Sequence, residues 1–121
     1  MLRFFAVLVG IVFIFAGVAG YMPAFMQDGL LFGYFEVDSM HNIVHMVTGV
    51  IAIMAATSYR FTKLFFAVFG LVYTIVGIIG FWRSGDLFIM HTNMATNIFH
   101  VVFGVISLYL GFSGRRYSER T

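Results

Sequence analysis

Four apolar runs, at about residues 4–22, 42–58, 62–82 and 97–113, dominate this 121-residue chain. Each approaches the ~20 residues that a helix needs to cross the hydrocarbon core of a bilayer. The second and fourth fall a little short, so their polar heads are expected at the interface. Lipid leaves open backbone groups unsatisfied, and the runs lack the roughly ten-residue alternating segments of a membrane barrel. They are therefore expected to be α-helices. A water-soluble domain of this size could not hide so much apolar side chain, because 61% of the residues are hydrophobic and only 10% are charged. The mean hydropathy is +0.98. The expected fold class is all-α, a bundle of four transmembrane helices. The chain has no cysteine, which excludes disulfides, thiolate zinc sites, iron–sulfur clusters and covalently attached haem.

The chain also repeats itself. "HNIVHMVTGV" begins at His41, and 55 residues later "TNIFHVVFGV" begins at Thr96 with the same asparagine, histidine and glycine. "FFAVLVGIVFIFAGVAGY" (Phe4 to Tyr21) aligns with "FFAVFGLVYTIVGIIGF" (Phe65 to Phe81) once one residue is deleted. The first run, with its basic start, could pass for a secretion signal. A cleavable signal has no reason to copy an internal segment, so the run is read as a retained helix. The expectation is one integral membrane domain over 1–121, with one repeat at about 1–58, a second at about 62–114, and a basic tail at 115–121. Each repeat is a two-helix hairpin with an even number of crossings. The copies should be parallel, related by a pseudo-twofold axis along the membrane normal.

Basic residues orient this arrangement. Arg3, Arg60, Lys63, Arg115, Arg116 and Arg120 lie at the N-terminus, the middle loop and the tail, whereas the other two loops hold only Arg83. The positive-inside rule then predicts a multi-pass protein of the bacterial inner (cytoplasmic) membrane with both termini cytoplasmic. The first outer loop, "MPAFMQDGLLFGYFEVDS", is too apolar for a free linker and is expected to form an interfacial lid. Gly10, Gly17, Gly20 and Gly49 in the first half, with Gly70, Gly77, Gly80 and Gly104 in the second, stand at intervals suited to close helix packing. These glycine faces also leave room for a homo-oligomer or a membrane-protein partner besides the lipid bilayer.

Asn42 and His45 are three residues apart, as are Asn97 and His100, so each pair lies near one helix face. Polar side chains at this depth are costly unless partnered. The simplest expectation is a reciprocal clasp, with Asn42 bonded to His100 and Asn97 to His45, at about 0.6–2 kcal/mol per bond. A metal centre is the alternative. His41 and His45 are four apart, and His91 and His100 are expected on the same side of the membrane, as are Met22, Met26, Met40, Met46, Met90 and Met94. Imidazole with thioether favours copper(I), with zinc second. Haem between His45 and His100, or a proton or solute relay with Asp38, would use the same residues. No cofactor is required by the sequence.

Enzymatic readings find less. Ser39, Ser84 and Ser107 lack a nucleophile-elbow context, and the glycines form no phosphate loop. Basic residues are too few for nucleic-acid binding. A non-enzymatic structural or accessory membrane protein is the first expectation.

"GYFEVDSMHNIVHMVTGV", followed by "HTNMATNIFHVVFGV", resembles a bacterial and archaeal membrane family known as domain of unknown function 4383. Its members look like small four-helix chains with a His-Asn-x-x-His-x-x-x-Gly stretch leading the second helix and Asn-x-x-His-x-x-x-Gly leading the fourth. His41, Asn42, His45 and Gly49 match the first, and Asn97, His100 and Gly104 the second. The family often places an aspartate just before the second asparagine, where this chain has Thr96. The resemblance implies fold and site location but no chemistry.

Overall fold

The computed structural model describes residues 1–113; the basic tail at 115–121 lies outside the described residues. Four helices account for most of it: α1 (Leu2–Ala19), α2 (Ser39–Ala55), α3 (Tyr59–Trp82) and α4 (Met94–Ser113). The segments Leu2–Ala19, Tyr59–Trp82 and Met94–Phe112 are long and apolar enough to cross a membrane. Helix α2, at 17 residues, is about 26 Å long and falls short of the ~30 Å core. The exposed surface is that of a membrane protein, with Ile11, Leu64, Leu71, Ile78 and Val105 all facing outwards.

Both α2 and α4 begin three residues before the apolar runs that announced them, because polar caps set their first turns. The backbone N–H of His41 donates to Asp38 Oδ1 at 2.9 Å. The N–H of Thr96 donates to Asn93 Oδ1 at 3.1 Å. Each side chain satisfies an amide that the helix itself leaves open. At the opposite end Arg3 Nε donates to the Ala56 carbonyl at 2.7 Å, and Lys63 Nζ donates to the carbonyl of Gly111. Two cations expected from topology alone thus also complement the C-terminal dipoles of α2 and α4.

Packing is heaviest between α1 and α2 and between α3 and α4. Backbones approach closely in both pairs: Gly10 faces Gly49, and Gly70 faces Gly104. Further along, Gly17 meets Met46 and the Asn42 carbonyl, and Gly77 meets Val101 and the Asn97 carbonyl. A methyl at any of these six glycines would collide with the neighbouring helix. Between the pairs, Leu2, Ala6, Ala52, Ala56, Phe65 and Phe66 form a core at the end bearing Arg3 and Lys63. Midway, Phe13 of α1 stands edge-on to Tyr73 at 5.6 Å between centroids, and the Tyr73 and Thr48 hydroxyls are 2.9 Å apart.

The long loop is a folded lid. A 3₁₀ turn at Pro23–Phe25 leads to two short antiparallel strands, β1 (Met26–Gln27) and β2 (Leu30–Leu31), with Met26 opposite Leu31. Asp28 and Gly29 take φ values of +55° and +80°, the left-handed pair that a two-residue hairpin turn demands. Phe25 and Phe32 rest on Phe15 of α1. Asn93 Nδ2 donates to the Tyr34 carbonyl at 2.9 Å, and the His91 N–H donates to Asp38 Oδ2 at 3.1 Å. The cap residues therefore tie the lid, the second outer loop and the two helix starts together. In that second loop the Phe88 N–H donates to Asp86 Oδ1 at 3.0 Å with Arg83 alongside, which holds the Asp86 carboxyl below its ordinary pKa.

Candidate metal centre

His41 and His45 lie one turn apart at the start of α2, and His100 projects from the second turn of α4. Residues four apart share a helix face, and that face looks towards α4. His41 Nε2 and His45 Nε2 are 3.1 Å apart. The ring centroids are 4.4 Å apart for His41–His45, 5.4 Å for His41–His100 and 6.0 Å for His45–His100. All three residues are buried, with relative exposures of 0%, 7% and 1%. Aromatic rings hold them there: Phe13 stands edge-on to His45 at 5.3 Å, and Tyr73 edge-on to His100 at 5.3 Å.

Polar satisfaction here is incomplete. Both ring nitrogens of His100, and Nδ1 of both His41 and His45, have no hydrogen-bond partner. Buried polar atoms left unpaired are uncommon and costly. The only bond joining the three rings is the one between the two Nε2 atoms, in which one ring must donate and the other accept.

The reciprocal clasp is not formed. An Asn42–His100 bond would occupy a nitrogen of His100, and both are unpartnered; His45 bonds His41 in place of Asn97. The cause is helical geometry. Side chains three apart point about 60° from one another around the axis, enough to aim His45 at the centre of the bundle and Asn42 at its own neighbour, α1. Asn42 packs on Gly20, where an added methyl would overlap its Oδ1, and Asn97 packs on Gly80 in the same way. Asn97 Oδ1 also accepts from Thr92 Oγ1 at 2.6 Å. The asparagines are packing elements of each helix pair.

His91, expected as a further ligand, is exposed in the second outer loop and stands outside the cluster. Asp38, suggested as a relay partner, is engaged as the α2 cap. Met22, Met40 and Met94 are exposed, and Met46 packs on Gly17. The residue that completes the site is His41, whose counterpart in the second half is Thr96.

One potential ligand atom from each of His41, His45 and His100 lies within 4.8 Å of the other two. Two nitrogens bound tetrahedrally at ~2.0–2.1 Å from one ion are about 3.3–3.4 Å apart. The observed 3.1 Å for the α2 pair is close to that spacing, and the two edges to His100 are no longer than 4.8 Å. A haem fits poorly, because the recess beside the histidines is only about 150 Å³ and His41 crowds the same space as the other two rings.

The family model described as Domain of unknown function (DUF4383) matches residues 3–113. The chain belongs to this family. The match covers all four helices and the three histidines, so the DUF4383 domain and the described bundle are the same unit. No curated protein and no solved structure matches the chain.

Proposed function

We propose that this DUF4383 protein is a small, multi-pass, non-enzymatic protein of the inner (cytoplasmic) membrane that holds one monovalent copper ion between His41, His45 and His100. The positive-inside distribution supports cytoplasmic termini, which puts the histidine cluster towards the periplasmic face. One observation carries the metal reading: three imidazoles converge in a buried site while four of their nitrogens have no hydrogen-bond partner.

The choice of copper(I) rests on charge. Imidazole suits both zinc and copper. Three neutral rings cancel none of the ion's charge, and the burial cost of an ion rises with the square of its charge. A dication therefore costs about four times as much as a monocation in the same low-dielectric site. The nearby carboxylate, Asp38, is already taken up by two backbone N–H groups.

Metal analysis of detergent-purified protein, loaded with copper under reducing conditions or with zinc, tests the proposal. The expected result is about one copper(I) per chain, bound more tightly than zinc and lost in His45→Ala and His100→Ala. A protein that takes up neither metal, and whose histidine variants lose only thermal stability, would reduce the cluster to a structural role.

A further inference from the structure

A groove of about 540 Å³ runs between the end of α2 and the start of α3. Ile51, Met54 and Ala55 form one wall, and Phe61, Leu64 and Val68 the other. Thr57 stands at the mouth, and its hydroxyl donates to the Met54 carbonyl at 2.8 Å, so it offers no free donor. The groove reaches along α3 from Phe61 to Phe69, a rise of about 12 Å. That is less than half of the ~30 Å hydrocarbon core. The groove therefore begins at one membrane surface and ends within the adjacent leaflet. A helix of a second copy or of a partner would cross both leaflets, whereas a lipid tail belongs to one.

Charge singles out the lipid. Arg60 stands one turn before Leu64 and two before Val68, near the same face of α3, and it is exposed. Arg3 and Lys63 lie at the same end of the bundle, where they donate to the carbonyls of Ala56 and Gly111. Asp28, Glu36, Asp38 and Asp86 all lie in the loops at the opposite end. Among the described residues, the end that opens onto the groove is thus purely cationic. A cationic mouth on an apolar slot complements a molecule with an anionic head and a hydrocarbon tail. Basic pockets between membrane helices bind anionic lipid headgroups in this way.

We propose that the groove between α2 and α3 holds one acyl chain of an anionic phospholipid whose phosphate pairs with Arg60. The inference rests on the membrane placement and orientation given above and is independent of the copper centre. With this end cytoplasmic, the groove lies in the leaflet whose surface carries the anionic lipids.

The test uses the full-length protein in mild detergent, offered phosphatidylglycerol or phosphatidylcholine with identical chains and read by native mass spectrometry. The expected result is one retained lipid per chain, with phosphatidylglycerol held about fivefold better, the effect of one basic side chain at an anionic surface. Arg60→Gln should remove that preference while both lipids still bind. Val68→Trp and Ile51→Trp, one on each wall at positions exposed in the native chain, should each lower retention of both lipids severalfold. Their placement on separate helices guards against one of them failing to fold. Equal retention of the two lipids by the native chain, or a preference that survives Arg60→Gln, would overturn the proposal. Undiminished retention in both filled variants would put the lipid elsewhere and overturn it too. A native dimer that Val68→Trp dissociates would make a second copy the occupant, with the same consequence. Copper content, measured on the same samples, reports on the metal site separately.

Discussion

The first turns of α2 and α4 are built alike and end up with different chemistry. Asp38 caps one and Asn93 the other; Asn42 packs on Gly20, and Asn97 on Gly80; His45 and His100 both point into the bundle. The difference falls at one position, His41 in α2 and Thr96 in α4. Where the two helix starts agree, the shared residues make the structure: caps, glycine contacts and inward direction. Where they differ, a third imidazole joins the pair, and three nitrogens can surround an ion as two cannot. Thr96 meanwhile bonds back to Asn93 Oδ1 and forms part of the recess wall. The unlike position thus supplies a third imidazole on one side and a closed wall on the other.

The largest effect should come from erasing that difference. His41→Thr makes α2 copy α4, and copper affinity should fall by more than the ~10–100-fold that losing an outer-shell partner costs. The double swap His41→Thr with Thr96→His carries the third ring to the other helix and should restore part of the binding in a copper titration. Failure of the swap to recover any binding would show that the two helix starts are not interchangeable around the centre. Acidification should release copper from the native protein, because protons compete with the ion for the imidazole nitrogens; affinity therefore falls as pH falls.

Glycine contacts come next. Gly20→Ala and Gly80→Ala each drive a methyl into the side chain of an asparagine. Overpacking of this kind costs about 1–3 kcal/mol, and the two variants should lose similar stability in thermal unfolding in detergent. A loss confined to one variant would mean that the matching contacts do not carry matching energy. Copper uptake at saturation should survive both changes, since neither asparagine touches the ion.

Hydropathy made the helices legible because lipid permits few alternatives for a long apolar run, and the close-packing glycines followed from their spacing. The true starts of α2 and α4 escaped because apolar runs do not include their own caps. Asp38 before "SMHN" and Asn93 before "MATN" were the signals that could have placed them. The clasp failed for a subtler reason. A shared face three residues wide still spans about 60°, and which neighbour each side chain meets depends on a register that Gly20 and Gly80 settle only in three dimensions. His41 was visible as an i,i+4 partner of His45, yet symmetry argued against it, since its counterpart is threonine. The recess beside it could not be read at all, because the lid that forms part of its wall folds back from a distant loop.

The smallest effect concerns the caps. Asp38→Ala and Asn93→Ala each remove an acceptor for one helix-start amide, worth about 0.5–2 kcal/mol at such positions. Each also breaks a tie between the outer loops, Asp38 by losing the His91 N–H and Asn93 by losing its bond to the Tyr34 carbonyl. Two conservative exchanges separate capping from charge. Asp38→Asn keeps an acceptor for the His41 amide but turns an NH2 towards the His91 N–H, so it should lower the melting temperature less than Asp38→Ala, while copper binds slightly less tightly because a nearby negative charge is gone. Asn93→Asp keeps the cap, gives up the donor to the Tyr34 carbonyl and adds such a charge near Thr96, so it should shift preference towards divalent zinc. Measuring copper and zinc affinities in both variants decides whether the carboxylate matters beyond its hydrogen bonds. If neither preference moves, the charge on Asp38 has no bearing on which ion the centre selects, and the two caps are equivalent in function as well as in place.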